Sequence, residues 1–203
     1  MINMVIDGRQ VQAQTGWTVL ETARQNGVHI PTLCHHEAVE PSGACRLCVV
    51  EIGDETWSKV VISCMYPVAE GLNVKTDSPR VKNVRRWILE MLLAQCPASP
   101  ELRALAAEYG VNTTRFVNHD PEEQCILCGL CVRVCKEVVG VSAISTVGRG
   151  VHKKIGSPYG VAADACVACG SCVTVCPTGA MSARLDAIRG AGAGREARKE
   201  GNQ

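Results

Sequence analysis

The first ordered signal along the chain is a pair of short segments, residues 2–6 and 9–13, with β-branched residues on both sides of Asp7-Gly8. That dipeptide adopts the left-handed conformations a two-residue turn needs, so the pattern predicts a β-hairpin. Thr18-Val-Leu-Glu21 has the form of a capping box and predicts a helix to about Asn26, stopped by Gly27 in the left-handed region. Past Pro31 comes a loop holding Cys34, Cys45 and Cys48, then a strand over 49–52 and a second apolar strand ending near Cys64. The most apolar segment, 60–68, is broken by Ser63 and Pro67; it reads as a strand and is too short to cross a bilayer, so no membrane span is expected.

Helical periodicity takes over next. Ser78-Pro79 supplies an N-cap followed by proline at the first helical position, and Val81, Val84, Ile88, Met91 and Leu92 recur at helical spacing. Ser99-Pro100-Glu101 repeats the start signal, Leu102, Leu105 and Ala106 form an apolar face, and Gly110 supplies the stop. A two-helix connector is therefore expected over roughly 79–110. After Arg184 a stretch of glycine, alanine and mixed charge offers nothing to bury, and residues 185–203 are expected to form a flexible tail.

Composition sharpens this picture. At 46% hydrophobic and 20% charged, the 203 residues can bury a core, which excludes global disorder. A net charge of +1 lacks the electrostatic footprint of a nucleic-acid binder. Aromatic residues make up only 3%, while cysteine occurs thirteen times. The first residues have neither a basic flank nor an apolar stretch of signal-peptide length, so a cytoplasmic location is expected. In a reducing compartment, clustered thiols read as metal ligands rather than cystines.

Two cysteine clusters repeat each other: CILCGLCVRVC at 125–135 matches CVACGSCVTVC at 166–176. This is the run that holds cubane clusters in bacterial-type ferredoxins, in which the fourth cysteine serves the other cluster. Ligation then crosses over. One 4Fe-4S cluster takes Cys125, Cys128, Cys131 and Cys176; the other takes Cys166, Cys169, Cys172 and Cys135. Gly129 and Gly170 let each loop wrap closely, and Pro177 follows the last cysteine as the motif expects, whereas Lys136 follows Cys135. Structural zinc is the competing reading, but four cysteines crowded twice into eleven residues suit two cubes better than two tetrahedral ions.

The N-terminal group, Cys34, Cys45, Cys48 and Cys64, departs from plant-type ferredoxin spacing, and by spacing alone either zinc or iron is plausible. Its order of hairpin, helix and ligand loop resembles a β-grasp domain, whose long loop wraps a 2Fe-2S cluster. Ile30-Pro-Thr-Leu-Cys34, Gly43-Ala-Cys-Arg-Leu-Cys-Val-Val-Glu51 and Ser63-Cys-Met-Tyr-Pro-Val68 resemble the 2Fe-2S domain of the large iron–sulfur subunit of respiratory complex I. They equally resemble the small diaphorase subunit of NAD-linked hydrogenases and the front end of iron-only hydrogenases, a likeness that runs to about residue 182. The resemblance implies an α+β chain: a 2Fe-2S β-grasp domain over 1–78, a helical connector over 79–112 and a bacterial-type two-4Fe-4S ferredoxin domain over 113–184. Family members usually carry a His-plus-three-Cys site after the connector's first helix; here only Cys96 stands there, so it reads as a buried thiol or a relic of that site.

Clusters held by four thiolates have no open coordination position and suit single-electron transfer. With no dinucleotide fingerprint and no Walker loop in the sequence, no flavin or nucleotide is expected on this chain. The resemblance implies a relay subunit between a flavin-containing NAD(P)H dehydrogenase subunit and a terminal oxidoreductase of the hydrogenase or formate dehydrogenase type. The alternatives are a free-standing polyferredoxin shuttle and a zinc or redox-sensing interaction module. Elsewhere, His35 and His36 read as polar loop residues. Arg80, Lys82, Arg85 and Arg86 read as either a docking patch or a solvated helix face, as do Lys153 and Lys154, and Trp17, Trp57 and Trp87 as packing residues.

Overall fold

The computed structural model describes residues 1–118, 120–157, 163–182 and 184; the expected tail over 185–203 lies outside them. Strands β1 (Ile2–Ile6) and β2 (Arg9–Ala13) form the expected antiparallel hairpin. Asp7 and Gly8 both take positive φ, 49° and 79°, the backbone that matches the twist of the flanking strands. Helix α1 (Val19–Gln25) begins at the expected cap, with Thr18 Oγ1 accepting from the Glu21 amide at 3.2 Å and the Glu21 carboxylate accepting from the Thr18 amide at 2.6 Å. Gly27 follows at φ 71°.

Strands β3 (Val49–Gly53) and β4 (Ser58–Ile62) pair antiparallel. The apolar run expected as strand to residue 68 ends as a strand at Ile62, where the chain turns past Cys64, and Pro67 makes an isolated antiparallel bridge to Thr18. A short strand β5 (Asn73–Lys75), which has too few residues to show an alternation, completes the sheet. The order is β2-β1-β5-β3-β4, with β5 parallel to β1 and antiparallel to β3.

One face of this sheet is buried along β1, β2, β3 and β5, and the opposite face is covered at β3. Met4, Ile6, Val50, Ile52 and Val74 pack with Val19, Leu20 and Ala23 of α1 in one core. Val49, one residue out of phase with Val50, instead joins Leu33, Leu47 and the connector helices in a second core. Those helices are α2 (Pro79–Gln95) and α3 (Pro100–Glu108), capped by Ser78 and Ser99 as expected. Ser78 also donates to Glu51 at 2.6 Å, tying the start of α2 to β3.

The basic stretch of α2 is bonded within the chain. Arg85 is buried and donates to the Val49 carbonyl at 2.8 Å, Arg80 pairs with Glu51, Lys82 pairs with Asp77, and Arg86 donates to the Tyr109 carbonyl. The tryptophans differ from expectation too: Trp17 packs against the first core, but Trp57 and Trp87 are more than half exposed, lying under Lys59 and Arg115. A cation over each ring offsets part of the exposure of its face.

In the C-terminal half, α4 (Leu130–Arg133) runs into a π-helical turn, Val134–Val138; strands β6 (Ser145–Val147) and β7 (Lys154–Gly156) form a hairpin; α5 (Ser171–Thr174) follows the second cysteine loop. The internal repeat holds at the level of the backbone. Leu127 and Ala168 take φ 53° and 54°, and Gly129 and Gly170 take 74° and 78°. Left-handed backbone costs a non-glycine residue roughly 1 kcal/mol, so its recurrence at equivalent positions marks a loop shape both copies require.

Replacing Thr18 with Ala removes the α1 cap and should cost about 1 kcal/mol, lowering the thermal midpoint by about 2–4 °C, with Thr18→Ser close to the parent. Leu89→Ala, at a fully buried position between the sheet and α3, should cost about 2–5 kcal/mol. Anaerobic thermal unfolding followed by circular dichroism measures both.

Candidate metal centre

All thirteen cysteines are free thiols, and twelve of them collect into three groups. The first forms at one end of the β3–β4 pair. Cys48 precedes β3 and Cys64 follows β4, so the register Val49↔Ile62 brings them side by side despite their sequence separation. The Ser63 amide and hydroxyl both donate to the Cys48 carbonyl, at 3.0 and 2.8 Å. Cys34 and Cys45 join them from the preceding loop, where the Cys45 amide donates to Cys34 Sγ at 3.3 Å. Gly43, at φ 60°, lets this loop lie flat: a Cβ there would stand 2.8 Å from both Ile62 Cδ1 and Met65 Sδ.

These four thiols form two hydrogen-bonded pairs. The Cys45 thiol lowers Cys34 to about 5, and the Cys64 thiol lowers Cys48 to about 6. Each donor is correspondingly raised, Cys45 by its bond to Cys34 and Cys64 by its bond to Cys48, with burial adding to both.

The second group gathers Cys125, Cys128 and Cys131 from the first repeat with Cys176 from the second. Burial pushes the Cys131 thiol up to about 12, and the charges of Cys128, Cys125 and Cys176 push the same way. Burial likewise raises Cys128 to about 11, with Cys125, Cys176 and Cys34 contributing. Cys34 is thus near enough for its charge to reach the second group.

The third group is Cys135, Cys166, Cys169 and Cys172, which together with Val139 and Ile144 line one small cavity. The Ala143 amide donates to Cys135 Sγ at 3.3 Å. Cys135 thus lies beside the second repeat's loop, and the charge of Cys176 acts on the thiols of the first.

The copies are not equivalent in exposure. Cys131 and Cys135 are buried, whereas Cys169 is exposed, with its pKa lowered by the Ser171 hydroxyl 3.4 Å away. Cys96 ends α2 at 0% exposure; burial pushes it up to about 12, with the charges of Cys125, Glu123, Cys128 and Cys176 adding to the effect. It adjoins the second group. His35 and His36 stand apart from the thiol groups, His35 Nδ1 meeting Arg24 at 3.3 Å and His36 Nδ1 accepting from the Ala38 amide at 3.1 Å.

One residue that the cysteine motifs do not mark sits between the first two groups. Arg133 donates to the Cys34 carbonyl at 2.8 Å and to the Glu40 carbonyl. Its charge reaches His35, which burial, then Arg24, and more weakly Arg133 hold below the ordinary imidazole value. The available signal is the helical spacing of Leu130, Arg133, Val134 and Glu137, masked in the sequence by the cysteines between them.

Among the described residues no three His, Cys, Asp or Glu side chains converge closely enough to hold a single ion. A cluster interposes irons and sulfides and so sets its thiolates farther apart than one tetrahedral ion does. The donor set is all thiol, already supplied with amide donors to sulfur, and fits that arrangement.

Residues 1–79 match the model of a 2Fe-2S iron–sulfur cluster binding domain, and residues 124–180 match that of a 4Fe-4S dicluster domain. A chain in the crystal structure of an NAD+-reducing [NiFe]-hydrogenase in the H2-reduced state superposes with a TM-score of 0.76 at 31% identity, covering 88% of this chain and 86% of its own. The chain belongs to this iron–sulfur subunit family. Members related over most of this chain include an NADH-quinone oxidoreductase subunit of Rickettsia prowazekii, 32% identical over 77% of this chain and 26% of its own length. The NADH-ubiquinone oxidoreductase 75 kDa subunit of Reclinomonas americana is 35% identical over 74% of this chain and 25% of its own. The chain spans about a quarter of the length of these curated family members.

In the reduced, metal-free protein Cys169 should be alkylated fastest. A lowered pKa leaves more thiolate at any given pH, so its rate should reach half-maximum below the ordinary thiol value of about 8.5. Ser171→Ala should move that midpoint up and slow labelling at neutral pH, while Cys96 should stay unlabelled until the chain unfolds. Peptide mass spectrometry after timed iodoacetamide pulses reads all three.

Proposed function

We propose that the chain is an electron-relay subunit that passes single electrons through one 2Fe-2S and two 4Fe-4S clusters. The donor in this reading is a flavin-bearing NAD(P)H-oxidising subunit and the acceptor a terminal oxidoreductase of hydrogenase or formate dehydrogenase type. The observation that carries it is the packing of the thiol groups against one another: Cys34, Cys45 and Cys128 share one apolar core, and Cys135 lines a cavity with Cys166, Cys169 and Cys172. When bound, the clusters supply reversible one-electron storage at sites with no free coordination position.

Cys34, Cys45, Cys48 and Cys64 hold the binuclear cluster. Cys125, Cys128, Cys131 and Cys176 hold one cubane, and Cys166, Cys169, Cys172 and Cys135 hold the other. The protein's own contribution is to bury the thiolates, donate amides to sulfur and exclude water. The five-stranded order with β5 parallel to β1 supports a β-grasp domain over 1–78, followed by a helical connector over 79–112 and a two-cubane domain over 113–184. Among the described residues no helix is long and apolar enough to cross a membrane.

The test is anaerobic purification from the native host, assayed for iron, sulfide, flavin and NAD(P)H-dependent bleaching. About ten irons per chain, with co-purifying flavin and pyridine-nucleotide reduction, is the expected result. Zinc without sulfide would overturn the cluster reading; full iron on a lone monomer would replace the complex by a free shuttle.

Ligand substitutions separate the sites by electron paramagnetic resonance. Cys45→Ala should abolish the binuclear signal and leave both cubanes. Cys176→Ala should damage the cubane of Cys125, Cys128 and Cys131; if it spares that cluster, the crossed assignment fails. Cys96→Ala should retain full iron.

A further inference from the structure

The helix that carries Cys131 and Cys135 has a second, cysteine-free face. Leu130, Arg133, Val134 and Glu137 recur at helical spacing and meet the loop that follows Cys34. Val39 of that loop is buried against Leu130 and Val134. Glu137 accepts from the Glu40 amide at 3.0 Å, and Arg133 grips the loop at both ends through the carbonyls of Cys34 and Glu40. The same helix therefore presents ligands on one side and a clasp for the neighbouring centre on the other.

Arg133 is the charged element of this clasp. No ion pair among the described residues includes it, and its Nε is buried without a partner. A half-buried guanidinium without an ion-pair partner, bonded to the main chain of a ligand residue, acts on that centre at short range. Reduction adds one negative charge to a cluster, so a fixed cation beside it favours the reduced state.

We propose that Arg133 is a positioning and potential-setting residue: it clamps the Cys34 loop onto the first cubane motif and raises the reduction potential of the N-terminal centre. The proposal rests on the reading of Cys34, Cys45, Cys48 and Cys64 as a binuclear cluster.

The experiment is an anaerobic, dithionite-driven redox titration of purified, iron-loaded protein, followed by the paramagnetic signal of the binuclear cluster. Arg133→Gln should shift its reduction equilibrium about tenfold toward the oxidised form, about 59 mV for a one-electron couple. Arg133→Lys, which keeps the charge, should restore most of that shift. Val39→Ala, which loosens the same contact without altering charge, should lower the thermal midpoint and leave the potential unchanged.

An Arg133→Gln protein with full iron and an unmoved potential overturns the proposal, as does a Val39→Ala protein shifted equally. If Arg133→Gln fails to load iron, Arg133→Lys decides: near-parental loading and potential support the charge, and failure of both reduces Arg133 to a structural clamp and overturns the electrostatic role. Absence of the binuclear signal from the unsubstituted protein would instead defeat the cluster reading itself.

Discussion

Sulfur buried among apolar side chains resists ionisation, and the rest of this structure is arranged around that resistance. Seven of the thirteen cysteines are buried and only Cys169 is exposed. A thiolate in such surroundings survives only where donors or cations compensate its charge. The chain answers differently in each group. Around Cys34 and Cys48 the compensation is internal, one thiol donating to its neighbour, with the Cys45 amide added. Around Cys128 and Cys131 it is lacking, and burial dominates. The thiols of the second group therefore keep their protons in the metal-free protein, and a metal that bound there would have to displace them.

The three groups share their walls. Leu33, Cys34, Cys45 and Leu47 lie in one apolar cluster with the buried side of α2, the contact face of α3 and Ile126 of the first cysteine loop. The connector helices are therefore part of the insulation between the N-terminal thiols and the first repeat. Glu123 closes the outer side, its carboxylate accepting from Arg184 at 2.7 Å and from the Cys125 amide at 2.7 Å. Ser99, the cap of α3, donates to the Thr178 carbonyl just past Cys176. Secondary structure far from the cysteines in sequence thus sets how the second group is enclosed.

The parts of this arrangement legible in the sequence are those governed by neighbours along the chain. Asp7-Gly8, the Thr18 box, Ser78-Pro79 and Ser99-Pro100 each act within one turn, and each lies where the pattern predicts. The paired loop shape of the two cysteine runs was legible because the repeat is written in their spacing. Strand β5 was not: three residues held between β1 and β3 owe their conformation to partners about seventy and twenty residues away. Arg85 looked like surface because charge is usually solvated, yet the Val49 carbonyl and Tyr109 draw it into the core. Arg133 escaped for the same reason, since its partners are main-chain carbonyls, which no sequence pattern marks.

The π-helical turn after α4 has a consequence for how this stretch can change over generations. Its Val139-to-Val134 amide bond spans five residues where an ordinary helix spans four, so the turn accommodates one extra residue. Deleting a single position there would restore ordinary winding, leave the chain beyond it close to its present phase, and turn the side chains within the turn itself. Cys135 and Glu137 could then no longer both keep their present directions relative to Cys131 and Leu130. Substitutions in this stretch can be absorbed one side chain at a time, but its length is inherited as a unit.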